Sequence, residues 1–289
     1  MALALSRAAL RFLGVVVVAV TFAFIVEQLM PAQAPDPRPL PEQYLGYWAN
    51  LLTRPIAARI GNALPWSVAI IGIASMIAFS AGTVMGVWMA RPGRRRVGQL
   101  ASLIVTVIAT IPAFLMAMIL VAVLAQRLRW LPPALGFTPT QLWQNAGAVA
   151  FDLGSHAILP ILTLSLAGIG VFALATRGAT VGILEADHVL YAHALGLPER
   201  RIFWAHEARL AMIPVVTGLG ISLGVIVAGA LLVEAILSYP GIGWMLYLAI
   251  QGGDMPMMRG IMLVLIVVLA LTATLVDLLL PRLDPRIRR

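Results

Sequence analysis

Residues 185–214 read EADHVLYAHALGLPERRIFWAHEARLAMIP. This polar stretch lies in a chain that is 61% hydrophobic and only 11% charged, against roughly 25% charged residues in ordinary soluble domains. It therefore divides a membrane composition rather than belonging to it. From about Asp187 to Leu195 it reads as a short helix, stopped by Gly196, a residue suited to the left-handed conformation after a helix C-terminus. Pro198 then opens a second helix, with Glu199 in the favoured first turn. The product is a helix, sharp turn, helix elbow spanning about 185–211. One reading is a solvated loop that balances its own charge, since Glu185, Asp187, Glu199 and Glu207 match Arg177, Arg200, Arg201 and Arg209 in number. The other is a rigid knob, continuous with the following span, that a partner protein pushes. The residues alone leave both open.

Outward from the elbow the chain is apolar. A bilayer core needs roughly 20 mostly apolar residues per helix, and six segments qualify, near 11–30, 66–90, 100–125, 158–176, 212–236 and 260–280. The fold class is all-α, a polytopic helical bundle forming one membrane domain over residues 1–289. Arg is distributed unevenly between the spans. Arg7 and Arg11, then Arg91, Arg94, Arg95 and Arg96, then Arg177, Arg200, Arg201 and Arg209, then Arg282, Arg286, Arg288 and Arg289 make fourteen of the twenty basic residues. The positive-inside rule puts both termini and the elbow in the cytoplasm. The net charge of +8 is then a matter of topology and calls for no nucleic-acid partner.

The N-terminal run imitates a secretory signal, with Ala32-Gln33-Ala34 in the place of a cleavage site. Glu27 interrupts the imitation, and cleavage would leave five spans with the termini on opposite sides; the residues alone leave both readings open. After the run, the Pro-rich stretch from Pro31 to Pro41 reads as extended chain. Tyr44, Leu45, Tyr47, Trp48, Leu51 and Leu52 then predict a short amphipathic helix at the outer interface. Three carboxylates fall near span ends. Asp277 reads as a partner of Arg282 at the cytoplasmic boundary, and Glu27 as an interfacial carboxylate. Glu234 is either hydrogen-bonded at its span end or a contact lining the outer pathway.

Several chemistries are excluded or disfavoured. All twenty basic residues are Arg, and without Lys there is neither a Walker A phosphate loop nor a Schiff-base enzyme. The absence of Cys removes disulfides and thiolate sites. His156, His188, His193 and His206 lie in loops or at span edges, and no metal site is expected. Ser75, Ser80, Ser165 and Ser222 lie in spans with no span-centred His beside them, so no catalytic residue is assigned.

The elbow resembles the cytoplasmic loop of permease subunits of binding-protein-dependent ABC importers, and is most similar to the oligopeptide, dipeptide and nickel branch. Ala192, Gly196 and Pro214 fall on the general motif. Gly196, Leu197, Glu199, Arg200 and Arg201, then His206, Arg209, Ala211 and Pro214, fall on the branch's longer pattern. Leu190 and Leu210 depart from it, standing where Glu and Asn are usual. The segment VEAILSYPGIGWMLYLAIQGGDMPMMRGIMLV resembles the branch through Val233, Glu234, Pro240, Gly241, Gly243, Asp254, Pro256 and Gly260. The ending Leu283–Arg288 resembles its cytoplasmic tail, and RWLPP at 129–133 and HAILP at 156–160 resemble it more weakly.

The resemblance implies a type I importer permease of the inner membrane, carrying peptides, with nickel complexes, glutathione or oligosaccharides as alternative cargoes. It implies a second, distinct permease, two ATP-binding subunits and an external binding protein as partners. This chain binds no cofactor, and ATP and Mg belong to the partners. ATPase coupling falls to Tyr191, Ala192, His193, Ala194, Leu195, Gly196, Leu197, Arg200 and Arg201. The Gly- and Pro-rich 237–258 segment is expected to be a bent, re-entrant feature. Glu234, Pro240, Gly241, Gly243 and Asp254 form the periplasmic gate or binding-protein contact. A stand-alone secondary transporter, an intramembrane hydrolase and an exporter remain the rival classes.

Overall fold

The computed structural model describes residues 2–28, 37–91, 95–138, 146–184, 186–202 and 219–283. Among these the secondary structure is helical, with no strand. Long apolar runs must satisfy their peptide groups internally if they are to enter lipid, and the α-helix does so within one segment. In chain order the helices are α1 (Ala2–Gln28), α2 (Leu40–Asn50), α3 (Arg54–Ala90), α4 (Arg95–Thr110) and α5 (Ala113–Leu120), the last running on as a π-helical stretch, Val121–Arg127. After these come α6 (Ala146–Leu184), α7 (Asp187–Ala194), α8 (Glu199–Ile202), α9 (Leu219–Ile236), α10 (Ile242–Gly252) and α11 (Met255–Leu283).

The expected spans map onto these elements with three corrections. The second and fourth spans belong to much longer helices of 37 and 39 residues. At 1.5 Å per residue each is over about 55 Å long, well beyond the hydrocarbon. Pro65 and Pro160 lie inside them without ending them. The third span, read as one segment at 100–125, is broken: α4 and α5 meet at an angle of 95°. Ile111 closes a tight turn onto Ile108 and Pro112 has extended backbone, because proline supplies no N–H and excludes the preceding helical carbonyl. Pro41, read as part of an extended stretch, instead lies in the first turn of α2, where its missing N–H costs nothing.

Among the described residues four helices are long and apolar enough to cross a bilayer, or five if the bent pair counts as one span. The fifth expected span, 212–236, is represented by α9; residues 203–218 lie outside the described set, and with them His206, Glu207, Arg209, Leu210, Ala211 and Pro214. The tail from residue 284 and the side chains of Asp277 and Arg282 also lie outside it.

The chain forms two compact units. In the first, residues 1–66 and 245–289, α1 packs along α11. Val20, Tyr47 and Leu51 form its core, with Phe24, Trp48 and Leu263 packed against them. The amphipathic α2 is thereby seated by its aromatic face, Phe24 meeting Tyr44 and Tyr47 edge-on at 5.3 and 5.4 Å. Glu27, expected to be an interfacial carboxylate, pairs with Arg259, whose guanidinium lies 5.5 Å from the centre of the Tyr47 ring. Burial raises the Tyr47 hydroxyl above its ordinary pKa, so it stays neutral beneath that cation.

The second unit, residues 67–244, is built on α6, against which α4, α5 and α9 pack. Gly82 and Gly86 let α3 approach α6 closely. A Cβ at these positions would lie 2.7 Å from Phe172 Cβ and 2.6 Å from Thr176 Cβ, the small-residue contact typical of membrane helices. Ala78, Phe172 and Ile226 form one core cluster and Met89, Val105 and Ala173 another.

Candidate functional site

The elbow is held by a complete C-terminal cap. Gly196, with φ of +70°, takes the left-handed position after α7. Its N–H donates to His193 O at 2.9 Å and the Leu197 N–H donates to Ala192 O at 3.3 Å, the paired bonds of a Schellman motif. Pro198 O then accepts from the Arg201 and Ile202 amides at 2.8 and 3.2 Å, opening α8 where the sequence expects it. Val189, Ala192 and Ile202 form a small buried core, with Ile183 of α6 and Leu197 against it. The elbow is thus fastened to the end of α6 by its own apolar contacts.

That core divides the expected coupling residues. Ala192 is 2% exposed and faces the elbow's interior. Its small size lets the two helices close, and it offers no outward surface. Tyr191, His193, Ala194, Leu195, Gly196 and Arg201 are exposed, as is Leu190. Leu197 is half-buried, and Arg200 is described only by its place in α8. Leu190, the departure from the expected motif, therefore joins Tyr191 and Leu195 on an outward apolar surface.

A second feature is the corner between α9 and α10. The α9 helix also ends in paired bonds: Ser238 N–H donates to Ala235 O at 3.3 Å and Tyr239 N–H to Glu234 O at 2.9 Å. Here the left-handed residue is Ser238, with φ of +49°. Glu234 is fully buried and its Oε2 accepts the Gly243 N–H at 2.6 Å. Ser67 of α3 accepts the Ile242 N–H at 2.8 Å and interacts with the same carboxylate. Together these two side chains cap α10 from outside it, satisfying first-turn amides that have no intrahelical acceptor. A negative group is also favoured at the positive end of the helix dipole.

The glycines of the corner are required by proximity. A Cβ on Gly241 would lie 2.5 Å from both Glu234 Cδ and Ser67 Oγ, and one on Gly243 would lie 2.6 Å from Leu231 Cα. Glu234 is thus hydrogen-bonded at the end of its helix, as the first of its two readings describes. Pro240 is half-buried, whereas Gly241 and Gly243 are buried. Asp254 belongs to the other unit, where it caps α11 by accepting the Met257 N–H at 3.1 Å and lies 3.8 Å from Arg59.

Residues 82–289 match the family described as the binding-protein-dependent transport system inner membrane component.

This chain belongs to that family.

The dipeptide transport system permease protein DppB of Escherichia coli K12 is 37% identical over 158 residues, 54% of this chain. That match spans about half of the relative's length, 46%. The glutathione transport system permease protein GsiC of Pectobacterium atrosepticum is 30% identical over 266 residues, covering 87% of this chain and 80% of the relative. In fold, a solved structure of the MetNI methionine ABC transporter in an inward-facing conformation superposes with a TM-score of 0.66. It covers 81% of this chain and 100% of that one at 15% identity. The chain thus has the all-helical fold of type I ABC importer permeases.

Within this permease fold, three contributors to the corner escape a reading of the sequence. Ser67 stands 175 positions from its partner Ile242 and has no local signature. Thr138 donates its N–H and hydroxyl to Asp152 of α6 at 2.8 and 2.6 Å, with His156 Nδ1 at 3.6 Å from the same carboxylate. Leu135, in the same loop, donates its N–H to Leu237 O at 2.8 Å, so the 128–138 loop ties α6 to the corner. The weak resemblance at 129–133 and 156–160 flanks these residues and is the one signal that pointed near them.

Proposed function

We propose that this chain is the multi-pass permease subunit of an ATP-driven, binding-protein-dependent importer of short peptides. It forms half of the translocation pathway beside a second, similar permease. The observation that carries this reading is the elbow: a capped helix, rigidly cored on α6, with Leu190, Tyr191 and Leu195 turned outward. A lever needs stiffness and a contact surface, and the elbow has both. Two ATP-binding subunits receive it from the cytoplasmic side. They also hold ATP and Mg, since this chain lacks the Lys of a phosphate loop.

The Arg distribution orients both termini and the elbow toward the cytoplasm. The corner then faces outward as a gate element. Contact with an external binding protein runs through half-buried Pro240, because Glu234, Gly241, Ile242 and Gly243 are inside. Residues 1–289 act as one permease domain. Glutathione is the second cargo reading, favoured by the relative of that name, whose length the match covers by 80%.

Affinity purification of the tagged chain in mild detergent tests the assembly. Recovery of ATP-binding subunits and a second permease is expected, and loss of the ATP-binding subunits on Gly196→Pro, which cannot adopt positive φ. A lone chain that transports without them would defeat the proposal.

A further inference from the structure

Arg177 lies inside α6, in a stretch without any acidic partner. Residues 67–110 and 153–184 contain no Asp or Glu, and Glu185 and Asp187 come only after α6 has ended. A Cβ on Gly86 of α3 would lie 3.0 Å from Arg177 N, so the two helices are in backbone contact at this level. The Arg177 side chain is half-buried. Its Nε is buried without a hydrogen-bond partner, and so is the hydroxyl of Thr176 beside it, a residue with no exposed surface. No carboxylate of the described residues pairs with Arg177. A guanidinium keeps its charge in a protein and offers only donors, and a buried donor on a charged group is costly to leave unpaired.

The helix ends beside it are cationic as well. Gly86 stands four residues, about 6 Å, before the end of α3 at Ala90, and exposed Arg91 follows. Arg95 and Arg96 open α4, whose first turn holds no acidic residue, and Arg96 is exposed. The start of α4 lies against the end of α3, since a Cβ on Gly98 would collide with Met89 O. Met89 in turn shares a core cluster with Val105 and Ala173. Arg91, Arg96 and Arg177 are thereby placed at one end of the layer formed by α3, α4 and α6. Cations at the positive end of a helix dipole are unfavourable without an anion beside them. Topology accounts for Arg in the loop, but not for a guanidinium whose Nε is enclosed between helices.

We propose that this end of the helical layer binds the phosphate of an anionic lipid headgroup, Arg177 reaching it from α6 and Arg91 and Arg96 from the ends of α3 and α4. Basic pockets between membrane helices suit such headgroups, and the guanidinium fork matches phosphate oxygens. The depth fits a lipid. Arg177 stands about one turn inside the end of α3, where its stem can lie along apolar surface while its head reaches the interface. A soluble phosphate offers the same oxygens but no acyl chains, and Val97 and Leu100, just after Arg96 on α4, are exposed apolar surface on which such chains can lie. The site goes beyond the importer reading and is independent of the cargo; that reading sets only the leaflet, the cytoplasmic one.

The full-length chain, purified in mild detergent with the subunits it retains, is titrated with phosphatidylglycerol and with phosphatidylcholine, and bound lipid is counted by native mass spectrometry. Phosphatidylglycerol is expected to bind more tightly, and Arg177→Gln to weaken it at least about fivefold, the effect of one interfacial cation. Arg177→Lys keeps the charge and should lose less. Arg127→Gln, which removes an exposed Arg at the end of the π-helical stretch, should lose nothing. Should Arg177→Gln fail to fold, Arg96→Gln, at an exposed position, carries the test with an expected loss of about twofold or more. Equal binding of the two lipids, unchanged binding by the Arg177 and Arg96 variants, or an equal loss with Arg127→Gln overturns the proposal. Displacement of phosphatidylglycerol by an equal concentration of inorganic phosphate assigns the site to a soluble phosphate and overturns the lipid. Loss of ATP-binding subunits from Arg177→Gln with lipid binding unchanged assigns Arg177 to a protein partner instead. Absence of those subunits from the wild-type preparation defeats the importer reading and leaves the lipid count standing.

Discussion

The elbow and the corner both reverse the chain with the same pair of capping bonds, yet they are stabilised over different distances. At the elbow the left-handed position is filled by Gly196, the bonds close within six residues, and the supporting core of Ile183, Val189, Ala192, Leu197 and Ile202 spans only twenty positions. At the corner the left-handed position is filled by Ser238, a residue that pays roughly 1–2 kcal/mol for that conformation. The conformation persists because its surroundings over-determine it. Ser67 and Leu135 hold the turn from two distant places in the chain, and Glu234 and the Gly243 amide bond across it. A local device can use the cheapest residue. A long-range one can hold a strained residue and in return joins distant segments into one piece.

The sharpest way to break this contrast is Gly243→Ala. Its new Cβ meets the backbone of Leu231 rather than a movable side-chain end, so the corner must shift. We expect a loss of about 3 kcal/mol, read as a large drop in the thermal midpoint of the detergent-solubilised protein. An unchanged midpoint would mean that the corner is as forgiving as an ordinary loop. Next in size is Glu234→Ala, which leaves the buried Gly243 N–H without its acceptor and costs about 2 kcal/mol. Glu234→Gln keeps an acceptor oxygen and should recover most of the midpoint. Equal damage from both would show that charge, not the hydrogen bond, matters there.

At the elbow, Gly196→Ala forces a Cβ into the left-handed region at a cost of about 1 kcal/mol. It should lower recovery of ATP-binding subunits while leaving the global midpoint nearly unchanged, because the elbow's bonds are its own. A global loss would erase the distinction between local and long-range devices. The smallest expected effect is Ser238→Gly, which relieves the left-handed strain and should raise the midpoint by the equivalent of about 1 kcal/mol or less, the gain being offset by the greater freedom of the unfolded glycine. A fall instead would show that the Ser238 side chain contributes a contact of its own.

The elbow was legible because its signals are consecutive: a charged island, a glycine, then a proline two residues on. The same holds for α2, whose aromatic spacing announced it, and for the apolar runs of α1, α3, α6 and α11. The bend at Pro112 was only half legible. Proline in an apolar run signals a kink, but the 95° angle follows from how α4, α5 and α9 settle on α6, which no local pattern contains. Glu27 read only as an interfacial carboxylate, and its partner Arg259, 232 positions away, was not legible.

Composition and periodicity were sufficient for an all-helical membrane chain with an elbow, because lipid leaves isolated apolar segments one way to satisfy their backbone. The Arg distribution adds an expected orientation, since crossing the membrane with positive charge is costly. Tertiary structure alone decided that the buried Glu234 caps α10, and that Ala192 faces inward while Leu190 faces out. It also decided that Arg177 lies against Gly86 with its Nε enclosed and unpaired. Each of those outcomes depends on which distant side chain occupies the space beside a residue, and that neighbour is chosen by packing between helices.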